Sequence, residues 1–193
     1  YGAKSAMGVL IEAKTGKVRA LYSTTGLNDA IISVFEPGSA LKPFIFASAM
    51  KYDLLADDET FLCTGKIKPY KDLSTIINDT HVHHEIQTTD ALAQSCNVAT
   101  IEIALRFLEE MDNWTWYKEL RLAGFGSVTG VEYPGEVNGI LHNPVDWNRL
   151  TGIQMSIGQG IAVTALQLTA AFNIFANNGI YLSPTLLEER ANP

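Results

Sequence analysis

A serine three residues ahead of a lysine, Ser39 and Lys42 in the stretch FEPGSALKPF, is a spacing that can support acyl-transfer chemistry. Proline is tolerated only in the first turn of a helix, because further in its ring collides with the carbonyl four residues back. Pro43 would collide with the carbonyl of Ser39, so a regular helix is predicted to begin near Ser39 or just after it, with the serine at the positive end of the helix dipole. Lys42 then projects from nearly the same face. A neutral lysine amine there can take the hydroxyl proton, and backbone N–H groups at the helix start can help stabilise an oxyanion. Desolvation beside the positive helix end lowers the lysine pKa and supplies that neutral form. The motif alone does not separate a nucleophile from a structural helix entrance. S-x-x-K is expected roughly once by chance in a chain of this size, and Ser48 with Lys51 is a second copy. That copy lacks the Pro-Gly lead and the following proline, and Ser48 in mid-helix reads as a packing residue.

Ser95, Cys96 and Asn97 supply a second constellation. Residues two apart on a helix point to roughly opposite sides, so Ser95 and Asn97 share a site only where the helix breaks. Asn97 is a good N-cap for a run beginning at Val98, with Ser95 ending the run before it. Such a junction turns a hydroxyl and an amide toward one cleft, although a plain helix corner with capping residues has the same sequence. Two other groupings carry less. His81, His83 and His84 invite a metal reading, but the only other histidine is the distant His142, and neither their spacing nor that of Cys63 and Cys96 matches a standard zinc pattern. The cysteines read as free thiols. QMSIG falls short of the G-x-S-x-G nucleophile elbow, because Gln154 stands where the first glycine belongs.

The elements that must hold these residues begin with a hairpin. Residues 6 to 22 form two β-segments joined at AKTGK, where Gly16 can supply a positive φ. Helical patterns follow from about Ala40 to Leu55, over TTDALAQ, and over VATIEIALRFLEE; residues 56 to 87 read as loop. The Gly- and Pro-dense stretch from Leu122 to Pro144 is predicted to be an ordered, irregular loop. Thr164 and Gln167 are spaced as a capping box for a helix that Gly179 terminates. No internal repeat, low-complexity tract or domain linker is present, and helices predominate after the hairpin.

The 193 residues are 47% hydrophobic and 18% charged, the composition of a folded globular chain. The formal charge of −7 and scattered basic residues exclude nucleic acid or an anionic membrane surface as the main partner. No apolar run is long enough to span a bilayer, and the N-terminus lacks the order of a signal peptide, so any anchor is expected outside this stretch.

Four ordered pieces, EPGSALKPF, ALAQSCNVA, AGFGSVTGVEYPGE and MSIGQG, resemble the transpeptidase domain of class B penicillin-binding proteins, the peptidoglycan D,D-transpeptidases. The resemblance runs from the hairpin almost to the C-terminus. It implies an α/β fold of the α+β type, shared with serine β-lactamases: a mainly antiparallel sheet with helices. By that resemblance Ser39 is the acyl-ester nucleophile, Lys42 its general base, Ser95 a proton-relay hydroxyl and Asn97 a substrate amide contact. Gly158, Gln159 and Gly160 match the family's G-Q-G element and are expected to shape the loop near the site.

The family's third motif, K-[ST]-G, is expected on a strand after the helix around 164 to 178. The one Lys-Thr-Gly, Lys14 to Gly16, falls in the hairpin turn and reads as a decoy, so residues 1–193 are expected to form an incomplete transpeptidase domain. The resemblance implies peptidoglycan stem peptides as substrate, β-lactams as acylating inhibitors, other cell-wall synthesis proteins as partners, and no metal or organic cofactor. It also implies a site on the outer face of the cytoplasmic membrane. Three alternatives share the serine and lysine: a serine β-lactamase, for which the loop from 126 to 144 offers Glu132 and Glu136 but no E-x-x-x-N element, a β-lactam sensor domain, and a catalytically silent subunit of the wall machinery.

Overall fold

The computed structural model describes residues 2–26 and 28–190. In chain order the elements are β1 (Met7–Ile11), β2 (Val18–Ser23), α1 (Asp29–Ile32), α2 (Lys42–Lys51), β3 (Thr60–Cys63), β4 (Lys66–Ile67), β5 (Ile77–Asn78), β6 (His84–Gln87), α3 (Thr88–Ala93), α4 (Asn97–Glu110), α5 (Asn113–Leu122), α6 (Thr151–Ser156) and α7 (Ala165–Ala176), with short 3₁₀ turns at Gly38–Leu41, Pro144–Asp146 and, after α7, Glu188–Arg190. The chain divides into two compact units, one comprising residues 1–36, 120–141 and 161–193, the other 37–119 and 142–160.

The first unit is built on the predicted hairpin. β1 and β2 pair antiparallel with Val9 opposite Leu21 and an irregularity between Leu10 and Ile11. Gly16 turns the chain at φ +75°, where a side chain would also press on the Ser183 carbonyl. The inner face of the hairpin packs with Ile31, Val131 and Leu166: Val9 and Ile11 keep the period-2 alternation on β1, while on β2 the irregularity in pairing brings Val18 and Leu21, three apart, to the same side. The α7 capping box forms as predicted: Gln167 N donates to Thr164 Oγ1 at 3.1 Å, and Thr164 N donates to Gln167 Oε1 at 2.9 Å. Asn178 and Gly179 both take positive φ just past its end, and Gly179 N closes on the Ile174 carbonyl at 2.8 Å.

The second unit centres on α4, against which α2 and α6 pack. Ile101 on α4 meets Ile153 and Ile157 in the core, while Phe107 stands edge-on to the fully buried Trp116. Residues 56 to 87 are not plain loop. β3 pairs with β6 and β4 with β5, each antiparallel. Strands of four and two residues are too short for a pattern to stand out in the sequence; on β3 the exposed Leu62 stands between the buried Phe61 and Cys63, which with Ile86 are the buried residues of the β3–β6 ribbon.

Candidate active site

Pro37 and Gly38 bring the chain into the site. Gly38 has φ +55°, and a 3₁₀ turn, Gly38–Leu41, runs straight into α2. Regular α-helix therefore begins at Lys42, with Pro43 in its first turn, and Ser39 sits in the tighter turn before it. This serves the pair well. A 3₁₀ turn has about three residues per turn, so positions i and i+3 eclipse more closely than in an α-helix. Ser39 is exposed, whereas Lys42 is 1% exposed and among the largest fully buried side chains. The competing copy of the motif behaves as packing: Ser48 is buried, and Lys51 pairs with Glu119 at 2.8 Å.

The lysine ends at the second constellation, 53 residues on. Its Nζ donates to the Ser95 carbonyl at 2.5 Å and to Ser95 Oγ at 2.9 Å. Burial pushes the Lys42 pKa below the ordinary lysine value, against the opposing pull of Asp79 and Cys96. A hydroxyl is thus wired to an amine that burial biases toward its neutral, proton-accepting form.

The helix break at Ser95 exists, with one shift from expectation. Ser95 takes a left-handed φ of +59° between α3 and α4. The N-cap of α4 is Cys96, whose Sγ accepts from Ala99 N at 3.4 Å, and Asn97 is the first helical residue. Asn97 Nδ2 donates to the Asn78 carbonyl at 3.0 Å. Asp79 holds the corner from the same side: its Oδ2 accepts from Asn97 N at 2.7 Å and Val98 N at 3.1 Å, and its Oδ1 from Thr80 N at 2.8 Å. Burial acts to raise the Asp79 pKa, but these N–H donors together with Cys96 outweigh it and hold the carboxyl below the ordinary range. No motif in the sequence pointed to Asn78 or Asp79, because the Asn97 and Val98 groups they hold lie 18 or more residues away.

The G-Q-G element meets the turn that carries the serine. Gly38 N donates to the Gly158 carbonyl at 3.1 Å, and a Cβ on Gly158, at φ +75°, would overlap the backbone of Gly38. Its contribution is close backbone approach. The two glutamates of the irregular loop are committed to structure. Glu136 accepts from Thr129 N and Oγ1, both at 2.6 Å, and Glu132 from Thr185 Oγ1 at 3.0 Å and Leu186 N at 2.8 Å. Lys14 to Gly16 lie in the β1–β2 turn.

A second cluster adjoins the S-x-N corner. Cys63, Asp79, His83 and Cys96 bring one donor atom each within 4.8 Å of the others. Both cysteines are free and buried. Of the three clustered histidines only His83 takes part, and the donors are separated by 15, 3 and 12 intervening residues, which no local spacing rule recognises.

The family "Penicillin binding protein transpeptidase domain" matches residues 6–192, and the chain belongs to it. The chain is 32% identical over 99% of its length to the probable peptidoglycan D,D-transpeptidase PenA of Neisseria meningitidis, and 30% identical over 100% of its length to the penicillin-binding protein PbpB of Mycobacterium tuberculosis. It spans 34% and 30% of those relatives, about a third of each. Among solved structures, penicillin-binding protein 3 of Mycobacterium tuberculosis complexed with ampicillin superposes at a TM-score of 0.85 with 29% identity, over 95% of this chain and 43% of that one. The apo TP domain of Burkholderia pseudomallei penicillin-binding protein 3 superposes at 0.86 with 25% identity, over 99% and 57%. The mixture of helices and antiparallel strands is the α/β fold that the four sequence pieces implied.

Proposed function

We propose that this chain carries the acyl-enzyme site of a peptidoglycan D,D-transpeptidase. Ser39 Oγ attacks the penultimate D-Ala carbonyl of a stem peptide while Lys42 Nζ takes its proton. Collapse of the tetrahedral intermediate breaks the D-Ala–D-Ala amide, and the leaving amine receives that proton through Ser95 Oγ. An amine from a neighbouring stem peptide then attacks the ester, giving up a proton along the same route and freeing Ser39. Asn97 contacts the substrate amide. A β-lactam, such as the ampicillin bound by the mycobacterial relative, acylates the same serine. The substrate sets the site outside the cytoplasmic membrane, among other wall-synthesis proteins.

One observation carries the reading: a lysine 1% exposed, three residues from Ser39, donates to Ser95 Oγ at 2.9 Å, so both motifs meet on a single amine. The structural roles of Glu132 and Glu136 favour a transferase over a β-lactamase, since neither is left to activate a deacylating water.

Fluorescent penicillin labelling with peptide mapping tests the proposal. A single, persistent label on the Ser39 peptide is expected, absent from Ser39→Ala. Lys42→Arg keeps the charge but offers no accessible neutral base, and should slow acylation by at least about a hundredfold. Label on Ser48 or Ser95, or near-normal acylation of a folded Lys42→Arg protein, would overturn it.

A further inference from the structure

We infer that Cys63, Asp79, His83 and Cys96 form a closed four-ligand site for a zinc-type divalent cation, and that the ion ties the S-x-N corner in place. The donor set is the first argument. Two thiols, an imidazole and a carboxylate suit a borderline-soft cation in a tetrahedral protein site, and do not suit magnesium or calcium. Geometry is the second. Cys63 Sγ stands 3.3 Å from His83 Nδ1 and 3.6 Å from Asp79 Oδ2, and His83 Nδ1 stands 3.8 Å from that oxygen. Metal–sulfur bonds of about 2.3 Å and metal–nitrogen or –oxygen bonds of about 2.0–2.1 Å, set tetrahedrally, give ligand–ligand edges of about 3.3–3.8 Å.

Hydrogen bonding alone leaves the cluster underprovided. A thiol has one proton, yet Asp79 Oδ2, His83 Nδ1 and the His81 carbonyl, at 3.8 Å, all crowd Cys63 Sγ. The Asp79 side chain is 0% exposed and that of His83 6%, so water offers little relief. Cys96 is also placed as a ligand: it caps the first turn of a 14-residue helix, which fixes its Sγ facing the other three donors, and that sulfur accepts from Ala99 N at 3.4 Å. On binding, the two thiols release their protons to solvent, and the sulfurs, one carboxylate oxygen and neutral His83 Nδ1 coordinate the ion. The result links the end of β3 and the β5–β6 connection to the residue between Ser95 and Asn97. The ion is structural, since all four positions are filled by protein.

The test begins with the unaltered protein, purified without chelator and assayed for metal by elemental analysis, then stripped and titrated with Co²⁺. We expect one ion per chain, the intense near-ultraviolet charge-transfer band of cobalt–thiolate bonds, and visible bands of a tetrahedral site. Stripping should lower the melting temperature, and Zn²⁺ should restore it. Cys63→Ser and His83→Ala should each weaken retention of the ion. Substoichiometric metal lost on gel filtration, a Co²⁺ spectrum without thiolate bands, or a Cys63–Cys96 disulfide in the purified protein would each overturn the assignment. None of these readouts requires Ser39 to be acylated, so the metal assignment and the proposed reaction fail separately.

Discussion

At the scale of single residues, the protein accepts an unfavourable burial to obtain a base. Lys42 is enclosed like a core leucine, and burial works against its charge. Its partners are a carbonyl and a hydroxyl, with no carboxylate bonded to it among the described residues. An apolar side chain of similar volume removes the desolvation cost of the amine together with its two hydrogen bonds, each worth only about 1 kcal/mol net. Lys42→Met should therefore melt no lower than the wild-type protein while losing its penicillin labelling. Thermal unfolding of the two proteins in parallel decides it, and a marked drop in the melting temperature of Lys42→Met would mean that the lysine's hydrogen bonds hold the fold together.

Elements were legible in the sequence wherever a local rule governs them. The hairpin followed from alternation and Gly16, and α7 from Thr164, Gln167 and Gly179. The turn holding Ser39 was bounded by Pro43, though its 3₁₀ character was not, because one proline fixes where a helix can start without fixing how tightly it winds. Ser95 to Asn97 announced a break, and the cap moved by one residue because the left-handed turn falls on Ser95 and leaves Cys96 to begin α4. Elements held by tertiary contact alone escaped. α5 carries the exposed Trp114 beside the buried Trp116, and α6 is six residues long with a glycine inside it. Asp79 escaped for the same reason, and His83 was noticed among three histidines but set aside, because the thiols and helix N–H groups they face come from elsewhere in the chain.

For the molecule as a whole, acid is the expected weakness. Hydrogen bonds from Thr25 hold Asp29 below the ordinary carboxylate range, and Arg106 and Arg149 do the same for Glu59 and Asp72. A carboxylate whose folded pKa is depressed contributes stability above its unfolded value, here 3.8 or 4.5, and loses it as the pH falls through the folded value. Glu102, raised by burial, works in the opposite direction. Urea midpoints measured from pH 7 to pH 3 should hold steady and then fall below about pH 4.5; a flat profile would show that these pairs are too screened to matter. The contact of Gly158 with Gly38 has a different kind of consequence, one for heredity under antibiotic pressure. Every amino acid except glycine brings a Cβ, and a Cβ at 158 overlaps the backbone that presents Ser39. A saturation library at codon 158, screened for penicillin labelling, is therefore expected to return glycine alone, and recovery of alanine would show that the turn can yield. If glycine alone survives, variants that admit the stem peptide and refuse the drug must arise at other positions around the serine.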